Sequence, residues 1–77
     1  MPVIKRFRNC VIRMYADDHR PPHFHILGPD SSVAVDIKSL KIIAGFARTD
    51  EIRKAMEWAE ANVKILAHEW TRLNQRG

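Results

Sequence analysis

A lone cysteine, Cys10, in a chain of 77 residues excludes an internal disulfide framework and fits a reducing compartment. Glycine and proline are sparse, at three and four, and 45% of residues are apolar. That composition belongs to a folded globule and excludes a disordered segment. No apolar run approaches the roughly 18 residues of a membrane span. Lys5, Arg6 and Arg8 lead into no apolar stretch of the kind a secretory signal needs. The expected address is the cytoplasm, with no membrane partner. Length excludes a Rossmann-type cofactor fold, a solenoid and a two-domain enzyme. The expectation is a single domain over 1–77, with a sheet half at 1–45 and a helical half at 49–75.

What is present is an uneven charge. Residues 1–48 carry eight Lys or Arg against four acids, whereas residues 49–77 carry five of each. The whole net charge of +4 thus lies on the first part of the chain, which points toward an anionic partner.

The hydrophobic period changes along the chain. Val3–Phe7, Cys10–Tyr15, His23–Leu27, Ser32–Ile37 and Leu40–Ala44 read as five short strands. Turns are expected at Arg8-Asn9, Gly28-Pro29-Asp30-Ser31 and Lys38-Ser39, with Gly45 closing the sheet half. Residues 16–22 form a polar loop stiffened by Pro21 and Pro22. Thr49 reads as a helix N-cap followed by Asp50 and Glu51. From there Ile52, Met56, Ala59, Val63, Leu66, Trp70 and Leu73 recur at alternating spacings of four and three, one apolar stripe. An unbroken helix of this length would measure roughly 39 Å, against about 17 Å for the strands. It either breaks near Asn62 or overhangs the sheet, and an overhang ending in Leu66, Trp70 and Leu73 would need a partner surface. The fold class is therefore α+β: an antiparallel meander of four to five strands followed by a long C-terminal helix, dimerised or docked on another protein.

Strand parity then assigns faces. With Phe24 and Ile26 under the helix, His23 and His25 face the other way. Ile12 and Met14 inward leave Arg13 and Tyr15 outward; Val33, Val35 and Ile37 inward leave Ala34 and Asp36 outward; Leu40 and Ile42 inward leave Lys41 outward. One open face thus collects Arg13, Tyr15, His23, His25, Asp36 and Lys41. Three chemistries compete for it. His23 and His25, two residues apart on a strand, could grip a divalent metal with His19 or Asp36 as a further ligand. Alternatively the histidines could move protons at an RNA phosphodiester, with Arg13 and Lys41 stabilising phosphate charge and Tyr15 stacking on a base. In the third reading the histidines bond to loop carbonyls or to Asp17 and Asp18, and the face is simply solvated.

Other residues carry less. His68 reads as a solvated helical histidine, and Cys10 as a packed small hydrophobe with no nearby activating partner. Trp58 and Trp70 read as core and interface anchors. A catalytic N-terminal proline at Pro2 would want a β-α-β order that the chain lacks.

The runs Arg13-Met14-Tyr15, Asp17-Asp18-His19 and Pro21-Pro22-His23-Phe24-His25-Ile26, with the opening Met1-Pro2 and Glu57-Trp58-Ala59, resemble a bacterial family of small proteins known as domain of unknown function 4160. Pro-Pro-His-x-His is its most specific motif, and the resemblance covers nearly the whole chain. Asp36 and a long C-terminal helix ending near a Trp also fit, while the tail after Trp70 is shorter than in many members. Genes of that family often sit beside one for another small domain of unknown function, in pairs that look like toxin–antitoxin modules. The resemblance thus implies a small protein partner. A homodimer, a hydrolase acting alone on phosphodiesters, with or without a metal, and a pure interaction module stand as alternatives.

Overall fold

The computed structural model describes residues 3–16 and 21–74. Five strands, β1 (Val3–Arg6), β2 (Val11–Arg13), β3 (His23–Gly28), β4 (Ser31–Asp36) and β5 (Ile42–Phe46), form one antiparallel sheet in the order β1-β2-β3-β4-β5. Two helices follow, α1 (Thr49–Ala61) and α2 (Val63–Leu73). This is the α+β meander that the change of period predicts. Among the described residues no helix is long and apolar enough to cross a membrane.

The hairpins follow from their turn residues. Gly28 pairs with Ser31, leaving Pro29-Asp30 as a two-residue turn. Its tip is tied to the start of α1: the Asp30 N–H donates to Glu51 Oε1 at 3.1 Å, and the Arg48 N–H to Ser31 Oγ at 3.0 Å. Gly28 allows that approach, since a Cβ there would come within 2.6 Å of Glu51 Oε1.

Between β4 and β5, Asp36 Oδ1 accepts the amides of Lys38 at 2.7 Å and Ser39 at 2.9 Å. The Leu40 N–H donates to the Asp36 carbonyl at 2.8 Å. Closing this loop puts Leu40 at φ +61°, so the last strand begins at Ile42 and not at Leu40. Gly45 lies inside β5 at φ +88° and does not end the sheet half.

Inward residues match the parity expected for the second, third and fourth strands. Ile12, Met14, Phe24, Ile26, Val33, Val35 and Ile37 are all buried in one core with Ile52, Ala55, Ala59, Leu66 and Trp70. Burying a side chain of this size is worth about 1.5–3 kcal/mol. In β5 the parity fails. The register slips where Val35 meets Ile42 and Ala34 meets Ala44, so Ile43 is an extra residue, and Ile42 is 47% exposed rather than buried.

The helical stripe breaks at Asn62, whose side-chain amide donates to the Trp58 carbonyl at 2.8 Å while its backbone N–H donates to Ala59. Beyond the break, α2 brings Leu66 and Trp70 into the core. Thr49 is the first helical residue and not the cap; the Arg48 carbonyl accepts the N–H groups of Glu51 and Ile52. The overhang is therefore absent. Leu66 is fully buried, Trp70 is 7% exposed and Leu73 packs against the same core, which withdraws them from the partner surface that an unbroken helix would present.

Candidate functional site

β3 carries the site. Its first residue, His23, follows Pro21 and Pro22 and lies opposite Asp36 of β4; His25 lies between Arg13 of β2 and Ala34 of β4. Parity points His25, Arg13 and Ala34 to the face away from the helices. From there a chain of rings runs to α2. Tyr15 meets His25 edge-on at 4.8 Å between centroids, His25 meets His23 at 5.0 Å, and His23 meets Trp70 at 5.3 Å.

The two histidines are not equivalent. His25, Arg13 and Tyr15 are half-buried and open to one side. His23, expected on the open face, is 6% exposed because α2 brings Trp70 over its ring. Its Nδ1 donates to the Pro21 carbonyl at 2.6 Å. A carbonyl can only accept, so this bond places the proton of the neutral ring on Nδ1 and leaves Nε2 as the acceptor. Pro21 thus does more than stiffen a loop: its carbonyl holds one imidazole in a fixed orientation and tautomer.

Asp36 faces His23 across the strands, yet its carboxylate serves the turn. The Ser39 and Lys38 amides hold its carboxyl below the usual range, the Ser39 contribution being the largest single cause. Among the described residues no three His, Cys, Asp or Glu side chains converge as a metal site. His19, with Asp17 and Asp18, lies outside the described residues. Lys41 is exposed, and its carbonyl accepts the Asp36 N–H at 2.9 Å, which sets it two strands from His23.

Of the residues read from the sequence, the structure therefore assembles Arg13, Tyr15, His23 and His25. It leaves Lys41 at the rim and ties Asp36 into a turn. Trp70 reads from the sequence as a core or interface anchor, and its place against His23 is invisible there because it depends on the break at Asn62. Cys10 is remote from this cluster; burial pushes its thiol up, and the negative charge of Glu51 adds to the effect.

Residues 9–71 match the family described as Domain of unknown function (DUF4160). The chain belongs to this family. The matched span of the DUF4160 domain runs from the end of the β1–β2 turn to the last turn of α2, so the whole ring chain lies within it. No curated protein and no solved structure matches the chain.

Proposed function

We propose that this DUF4160 protein is one member of a toxin–antitoxin-like gene pair and that its open sheet face engages RNA. The single observation that carries the reading is the His23–His25 pair beside Arg13, with one imidazole locked by Pro21 and the other left facing outward. Arg13 supplies a permanent cation for a phosphate. Tyr15 supplies an aromatic surface, though its edge-on contact with His25 leaves only part of the ring for a base. His25 is the group placed to exchange a proton with the ligand, and His23 positions it from behind. The charge excess of residues 1–48 lies on the same half of the chain. A divalent metal remains the alternative occupant, for which His19 would have to join His23 and His25.

The test is anisotropy titration of the purified chain with a fluorescent single-stranded RNA, alongside a cleavage assay in chelator. Arg13→Ala should weaken binding about tenfold and lower the salt dependence by roughly one ion. His25→Ala should abolish any cleavage while leaving binding within a few-fold. RNA affinity that is indifferent to Arg13 and His25 would sink the reading. Recovery of the tagged chain from its host tests the gene pair separately: one small protein in fixed ratio supports it, and recovery of the chain alone removes it.

A further inference from the structure

The two edges of the sheet are guarded differently. β1 carries Lys5 and Arg6, both exposed, and charge of this kind keeps other strands away. β5 is Ile-Ile-Ala-Gly-Phe, exposed at every position, with no charge and no proline. Its register slips at Ile43 and Gly45 takes φ +88°, yet Ala44, Gly45 and Phe46 each keep a partner in β4. Phe46 is 71% exposed, and Ile42 and Ile43 are 47% and 45% exposed.

Beside this edge runs an open groove of about 470 Å³, floored by Leu40, Ile42, Ala47, Ile52 and Met56. Its helical wall bears Arg53 near one end and Glu57 and Glu60 toward the other. Arg53 and Glu60 are seven residues apart, two turns, so both lie on one face of α1. A cation at one end and an anion at the other let Arg53 and Glu60 oppose each other under a two-fold rotation, with Glu57 of each copy near the axis.

We infer that β5 is the interface through which a second copy of this chain pairs, antiparallel, to make a ten-stranded sheet. A two-fold normal to the sheet at Gly45 lays Phe46 of each copy across Ala44 of the other on the open face. In the proposed pairing both helical layers lie on one side, groove meets groove, and Arg53 of each copy opposes Glu60 of the second. Strand pairing over about 17 Å is narrow for a stable dimer, which needs about 800 Å² on each side. Closure of the two apolar grooves supplies the remainder. Phe46 shares the open face with His25 but lies two strands away from it, and the pairing does not depend on RNA binding.

Sedimentation equilibrium of the full chain tests it. The wild type should behave as a dimer, and Phe46→Lys, at a position too exposed to matter for folding, should weaken it by at least about tenfold with an unchanged circular dichroism spectrum. Arg53→Glu should also weaken it by like-charge opposition, and Arg53→Glu combined with Glu60→Lys should restore it. A wild type that stays monomeric overturns the proposal. So does a dimer indifferent to Phe46→Lys, or one that the charge exchange fails to rescue.

Discussion

Asp36 shows how one side chain is drawn away from a site by the backbone beside it. Two amide donors reach its Oδ1, and they hold the carboxyl below its usual 3.8. A depressed pKa means the folded chain binds its proton less readily than the unfolded chain. The stabilisation is therefore complete above the ordinary carboxylate range and is lost as the pH falls below about 3.8 and through the lowered value. In thermal melts across pH, Asp36→Asn should lie below the wild type at pH 7, and the two curves should converge in acid. A gap that persists at low pH would show that the charge is irrelevant to the turn. At the same scale, His23 was legible as a functional candidate from its spacing to His25. Its burial was not legible, since that rests on Trp70, 47 residues further on, arriving at its ring.

Among the elements, β5 is the one whose sequence gave least warning. Three strands, β2, β3 and β4, have inward residues in alternation, so their faces could be assigned by counting. In β5 an extra residue and a left-handed Leu40 break the count, and neither leaves a mark in the residue types. Gly45 is the one local signal, and it reads equally well as a strand's end. Its role is conformational: at φ +88° it faces the Ser32 carbonyl so closely that a Cβ would collide with the backbone. Gly45→Ala should cost about 1–3 kcal/mol in denaturant unfolding. A neutral result would mean that β5 relaxes without loss. Length alone leaves the helix break as one of two outcomes. What decides it is the Asn62 amide, which takes the Trp58 carbonyl and ends α1.

Over the whole molecule, the apolar stripe of the helices and the inward faces of three strands were both readable, and they meet in one core. How the second helix reached that core could not be counted from spacing. The clearest check is a pair of neighbours. Leu66→Ala, at a fully buried position, should lose about 2–5 kcal/mol. Ile65→Ala, at a position 48% exposed, should stay within about 0.5 kcal/mol of wild type in the same urea titrations. Equal losses would mean that α2 is not seated as described. The sheet's order has a further consequence, in time rather than space. Each strand bonds only to those before and after it in the chain, so no pairing waits for a distant segment to diffuse in. Closing short loops costs little entropy, and low contact order speeds folding. During synthesis all four hairpins are complete before either helix emerges, and the apolar side of the sheet stays bare until then. The helical third of the chain thus acts as the last-made cover, and the interval before it arrives is when the nascent chain is most exposed to aggregation.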